Sequence, residues 1–137
     1  MKIRSYKDLE VWKLSKDLAK DVYKLTKRYP IDERFGLMQQ TRRAVVSVMS
    51  NIAEGSGRRS RQEFMRFINI ASGSLCEMES QLLLAVDLEY LGAADVDDIL
   101  TKADRISKML YGLHQSLLLK TDKPAEYRVP STEYDNV

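Results

Sequence analysis

Apolar residues recur along the first thirty positions at intervals of three, four and seven: Val11, Leu18, Val22, Leu25 and Tyr29. Ser15 fills the one polar gap, and Trp12, Ala19 and Tyr23 widen the stripe. This is the period of an amphipathic helix. It predicts a first helix from about Tyr6 to Tyr29, opened by Ser5 with Asp8 and stopped by Pro30. A second seam follows in Met38, Thr41, Val45, Val48 or Met49, and Ile52, giving a helix from about Asp32 or Phe35 to Glu54. The third runs from about Arg61 to Tyr90 through Phe64, Phe67 or Ile68, Ala71, Leu75, Met78, Leu82 and Ala85 or Val86. The fourth, from about Val96 to Leu119, has the most regular seam: Ile99, Ala103, Ile106, Leu110, Leu113 and Leu117 alternate four and three.

Four long amphipathic helices with short connections specify an all-α, left-handed, up-down-up-down four-helix bundle over residues 1–120. Residues 121–137 hold two prolines and no apolar period, so a flexible tail is expected there. Glycines mark the expected breaks. Gly55 would take the left-handed conformation that ends the second helix, and Gly92 would close the third. Ser60 followed by Glu63 is a capping box opening the third. Gly73 is different, because it stands inside the small-residue run Ala71-Ser72-Gly73-Ser74. Mid-helix glycine costs about 1 kcal/mol against alanine; close approach of a neighbouring helix would explain it, and a ligand lying over the helix is the alternative. The stripes on the first and third helices are wider than one core needs, which predicts a second buried surface, between subunits.

Composition narrows the function classes. The chain has 137 residues and a net charge of +2, too small a balance to announce a nucleic-acid partner by itself. Its distribution is uneven. Up to Arg66 basic residues outnumber acidic ones by about two to one, whereas acids dominate from Glu77 to Asp104. No segment reads as a membrane span or a secretory leader, which gives the expectation of a cytoplasmic protein with no membrane partner. The single cysteine, Cys76, forms no intramolecular disulfide and is expected in the core. The single histidine, His114, has no glutamate three residues before it, so the paired motif of di-iron bundles is missing. Glu77 and Glu79 point about 200° apart on a helix; they cannot converge on one substrate atom and are expected to meet arginines. No catalytic residue, metal site or cofactor is expected, and the reading is of a protein that is not an enzyme.

Candidate chemistry is concentrated between Gln40 and Phe67. Arg42 and Arg43 precede the Asn51-Ile52-Ala53-Glu54-Gly55 stretch, and Arg58, Arg59, Arg61 and Arg66 follow it. Asn51 and Glu54 are polar groups able to bond a nearby backbone. Guanidinium groups beside a helix N-terminus form a phosphate site; the bland reading is of solvated residues and surface ion pairs. Lys13, Lys16, Lys20, Lys24 and Lys27 lie on the polar face of the first helix, as solvated residues or as outer contacts. Few exposed aromatic residues are expected near the arginines, so base stacking is not.

The order of these motifs resembles the four-helix-bundle family named for proteins encoded in 23S rRNA intervening sequences. The resemblance covers about Tyr6 to Leu118. It rests on Asp8 to Trp12, Tyr29-Pro30, Glu33, Phe35-Gly36-Leu37, Gln40, Arg42-Arg43-Ala44 and Ser47. It continues through Asn51 to Gly55, Arg58, Ser60, Glu63-Phe64, Ala71 to Leu75 and Glu77. It implies a homopentameric ring. A related group, the accessory variability proteins of diversity-generating retroelements, is associated with a reverse transcriptase and its RNA. By that likeness the arginines bind structured, rRNA-like RNA, or RNA or DNA backbone, from a basic surface of the ring, with little sequence readout. The alternative is an adaptor oligomer that binds a protein partner, its arginines paired with Glu54, Glu63, Glu77 and Glu79.

Overall fold

The computed structural model describes residues 5–119; the predicted tail lies outside the described residues. Four helices, α1 (Glu10–Thr26), α2 (Leu37–Ser56), α3 (Arg61–Asp87) and α4 (Ala93–Leu119), pack against one another, with no strand among the described residues. α1 packs on α2 and α4, and α3 packs on the same two helices from the other side. The predicted seams line the core: Val11, Leu18 and Val22 meet Val45, Val48 and Ile52 from α2, Leu75, Met78 and Leu82 from α3, and Ile106, Leu110 and Leu113 from α4. Polar seam residues are satisfied locally. Ser15, Thr26 and Thr41 each donate a hydroxyl hydrogen bond to the carbonyl four residues back, Val11, Val22 and Leu37 respectively.

The helix ends depart from the expected ones. Ser5 caps a 3₁₀ turn (Tyr6–Asp8) by accepting from the Lys7 N–H, and α1 begins only after the buried Leu9. α2 runs through Gly55, and Gly57 caps it with φ −88°. Gly55 is therefore helical and not left-handed. What requires glycine is α3: a Cβ here would stand 2.6 Å from the Phe67 Cβ and 3.0 Å from the Phe64 ring. α3 ends before Gly92, at a left-handed Glu89 (φ 63°). There the Tyr90 N–H bonds the Ala85 carbonyl and the Glu89 N–H bonds the Val86 carbonyl, the paired pattern that satisfies orphan carbonyls at a helix C-terminus. Gly92 instead donates its N–H to the Asp95 carboxylate in the first turn of α4.

Two further expectations fail. Among the described residues nothing lies within 4 Å of a Cβ built on Gly73, so none of the four helices approaches it closely. Its neighbour Ser74 makes the interhelical contact, its hydroxyl 2.8 Å from that of Ser47. Cys76 is exposed, not core. Gly73 shares the outer face of α3 with Ile70, Leu84 and Leu88, all exposed apolar residues, beside Leu83. Part of the excess width of the α1 stripe is covered within the chain, where Trp12 packs edge-on against Tyr6 and Leu14 and Leu25 lie against the core, while Tyr23 stays exposed.

Both outer connections sit at one end of the bundle. The Tyr90 hydroxyl donates to Glu33 at 2.7 Å, the Tyr29 and Tyr90 rings are 5.5 Å apart, and Arg28 pairs with Asp95 at 3.0 Å. The α2–α3 corner lies at the other end with the α4 C-terminus, where Arg61 donates to the Leu117 carbonyl at 2.9 Å. Successive helices thus run antiparallel.

Candidate nucleic-acid interface

The six candidate arginines do not form one cluster. From Arg42 to Arg58 is sixteen residues, most of them along α2, or roughly 24 Å at the helical rise. Arg42 and Arg43 face the C-terminal half of α1. Arg58, Arg59, Arg61 and Arg66 surround the α2–α3 corner.

At the corner most of the positive charge has a partner. Arg58 pairs with Glu54 at 2.7 Å and Arg66 with Glu63 at 3.4 Å, while both guanidinium groups lie over the buried Phe67 ring at 4.8 Å. Arg61 ties α3 to α4 through the Leu117 carbonyl. Arg59 is exposed and makes no ion pair among the described residues. The N-terminus of α3 is taken as well. Ser60 accepts the Glu63 N–H at 3.0 Å, and the Glu63 carboxylate occupies the first turn, where it meets the positive end of the helix. Asn51 bonds backbone as expected, donating to the Ser47 carbonyl at 2.8 Å and to its hydroxyl at 2.9 Å. Through Ser47 and Ser74 it links α2 to α3.

Glu77 and Glu79 do not meet arginines. Neither makes an ion pair among the described residues. Burial, with the Asp104 carboxylate as a second cause, pushes the Glu79 carboxyl above its ordinary range.

The groove between α1 and α2 is the contrasting case. Its upper part is a cavity of about 750 Å³ lined by Lys27, Arg34, Arg42 and Arg43, with Tyr23 and Phe35 as aromatic walls and no carboxylate. Arg42 is fixed in place: its Nε donates to the Thr26 hydroxyl at 2.9 Å, its terminal nitrogen donates to the Tyr23 carbonyl at 3.1 Å, and its guanidinium lies 4.5 Å from the Tyr23 ring centre. All of these partners are neutral, so its charge is not cancelled. Lys27, Arg34 and Arg43 make no ion pair among the described residues. Below this cavity a second hollow shares Tyr23 and is lined by Ala19, Met49 and the apolar stems of Lys16, Lys20 and Lys24, again with no carboxylate.

The connection that carries Arg34 and Phe35 is held by Glu33. One carboxylate oxygen accepts the Leu37 N–H at 2.9 Å, and the other accepts the Tyr90 hydroxyl. These bonds, the backbone one first, hold the Glu33 carboxyl below its ordinary range. Beside it, burial and then the Glu33 charge push the Tyr29 hydroxyl up to about 12, and that buried oxygen has no hydrogen-bond partner among the described residues.

Sequence reasoning gave Lys27 only an outer role and missed Arg34 and Phe35. Phe35 is 80 % exposed and Tyr23 40 % exposed, so exposed aromatics do stand beside the cations. A basic-aromatic pair in a loop, one connection away from a lysine-rich helix face, was the available signal. Among the described residues no group of histidine, cysteine or acidic side chains is arranged to hold a metal ion, and no helix is long and apolar enough to cross a membrane.

The model of the family described as 23S rRNA-intervening sequence protein matches residues 7–112. The chain belongs to that family. A comparison with curated proteins finds no match.

Proposed function

We propose that this member of the 23S rRNA-intervening sequence protein family is a non-enzymatic, RNA-associated bundle that holds nucleic-acid backbone in the α1–α2 groove. The observation that carries the reading is the run of cations from Lys16 to Arg43 along a groove whose lining contains no carboxylate. Uncancelled Lys and Arg side chains displace counterions from phosphates, which gives affinity with steep salt dependence and little sequence readout. The family's description is consistent with an RNA partner. The corner arginines contribute less, because Glu54 and Glu63 repel the phosphates that Arg58 and Arg66 attract.

The functional unit in this reading is a homo-oligomeric ring, for which the resemblance points to five subunits. The exposed apolar residues of α3, Ile70, Leu83 and Leu84, with Leu88 just past its end, supply a face for contacts between copies. An adaptor role for a protein partner is favoured only at the corner, where the ion pairs it requires are present within the chain.

Light scattering of the purified protein with and without a mixed RNA pool tests the proposal. An oligomer whose mass rises with RNA at low salt and returns at moderate salt is the expected result. An oligomer indifferent to RNA at every salt concentration supports the adaptor instead.

A further inference from the structure

Phosphate binding explains the cations of the upper cavity but not its aromatic walls. Phe35 leaves most of its ring in water at the mouth of the cavity, although a loop residue that only neutralised phosphate would need no apolar surface. The ring is not loose. Its backbone neighbours are fixed by the Glu33 bonds to Leu37 and Tyr90, and the Arg34 guanidinium stands 5.9 Å from its centre. The half-buried Met38 and Val46 supply an apolar floor, and the exposed Gln39 supplies an amide that both donates and accepts. The Arg42 guanidinium, immobilised on the Tyr23 face, offers a second flat surface. Aromatic rings and arginine planes are the surfaces on which unpaired bases stack, and the volume lies within the range of small-ligand clefts, about 300–1,000 Å³.

From this geometry we infer that the cavity receives one unpaired nucleotide of an RNA strand, its base stacked on Phe35 above the Met38–Val46 floor. The flanking phosphates rest on Lys27, Arg34 and Arg43. The inference rests on the proposed function and deepens it: the ligand is RNA with an exposed base, from a loop, bulge or single-stranded stretch, and not a continuous duplex. In a duplex the bases are stacked on each other and unavailable to the ring. The lower groove, with Lys16, Lys20 and Lys24, then follows the backbone of the same strand.

The test compares two probes on the full chain at fixed moderate salt: a short fluorescent oligoadenylate and a strand of equal length whose residues are abasic. The phosphates are the same and only the bases differ. Stacking on one aromatic side chain makes the oligoadenylate bind about tenfold more tightly than the abasic strand, and Phe35→Leu removes most of that difference while leaving abasic binding unchanged. Because the Phe35 side chain is mostly exposed, this substitution does not threaten the fold. Equal, salt-sensitive binding of both probes overturns the base site and leaves the phosphate reading standing. Binding of neither probe overturns both. A change in oligomer mass on Phe35→Leu, with the ratio of the two affinities unaltered, would assign the ring to contacts between copies and also overturn the inference.

Discussion

In the α1–α2 groove Arg42 donates to a hydroxyl and a carbonyl, and its neighbours Lys27, Arg34 and Arg43 face no carboxylate. At the α2–α3 corner, Arg58 and Arg66 meet Glu54 and Glu63 within one helical turn of their own positions. The upper cavity of the groove and the corner each hold four cations and differ in what stands next to them. An ion-paired arginine covering Phe67 is a packing element with a charged tip. An arginine held by neutral oxygens is a fixed positive charge available to a ligand. The number of basic residues in a stretch of sequence therefore says less about a binding surface than the acids three and four positions away.

The largest effect separating the regions concerns packing at the corner. Gly55→Ala adds a methyl group 2.6 Å from the Phe67 Cβ, which is bonded to the α3 backbone and cannot swing aside. The substitution is expected to destabilise by about 1–3 kcal/mol, read as a lower denaturant midpoint. An ordinary mid-helix glycine would gain about 1 kcal/mol from the same change. A rise in midpoint would mean that α2 and α3 do not approach closely at Gly55.

The groove depends on a different anchor. Because Glu33 is held below its ordinary value of 4.5, its bonds to Leu37 and Tyr90 favour the folded state fully above about that pH. Their contribution is lost as the pH falls through the lower folded-state value. Acid titration of wild type and Glu33→Gln should show the variant less stable at neutral pH and the two converging in acid. Tyr90→Phe should weaken RNA binding a few-fold without loss of helical circular dichroism, since it frees the connection bearing Arg34 and Phe35 from one of its two bonds. An unchanged affinity would show that the connection needs no such support.

Smaller effects sharpen the contrast. Tyr29→Phe removes a buried hydroxyl that has no hydrogen-bond partner among the described residues. It should be neutral or stabilising by up to about 1 kcal/mol, whereas loss of a satisfied buried group would cost that much or more. Arg58→Ala and Arg66→Ala should each destabilise by about 0.5–1 kcal/mol, since the solvent-exposed ion pairs contribute little and the loss falls on the guanidinium packed over Phe67. Urea denaturation reads all three.

The helix seams were legible because burial follows the helical period: Leu18, Ile52, Leu75 and Leu110 are core residues, as their spacing requires. Turn chemistry was less legible. Gly55 was expected as a left-handed cap and Gly92 as the close of α3, yet among the described residues the left-handed one is Glu89, since α2 runs on to Ser56 and α3 ends short of Gly92. Of the site, Arg42 and Arg43 were visible as residues but not as part of a groove. Lys27 follows the end of α1 and Arg34 lies in the connection, and only the antiparallel packing of α1 on α2 brings them beside Arg43. The corner pairs were written in the sequence at the spacings Glu54 to Arg58 and Glu63 to Arg66. The alternative reading of these arginines as ion-paired with Glu54 and Glu63 is the one the corner geometry matches, whereas the pairing with Glu77 and Glu79 is not present among the described residues.

The most direct test of the groove against the corner is a salt titration of RNA affinity for the wild type, for Arg34→Ala with Arg43→Ala, and for Arg58→Ala with Arg66→Ala. The groove pair should lose about tenfold or more in affinity at moderate salt. Its log–log salt slope should become shallower by about 1.4, two single-strand phosphate contacts at about 0.7 each, while the corner pair stays within about twofold of wild type. A corner pair that loses both affinity and slope, beside a groove pair that keeps them, would contradict the account and return the binding surface to the α2–α3 corner.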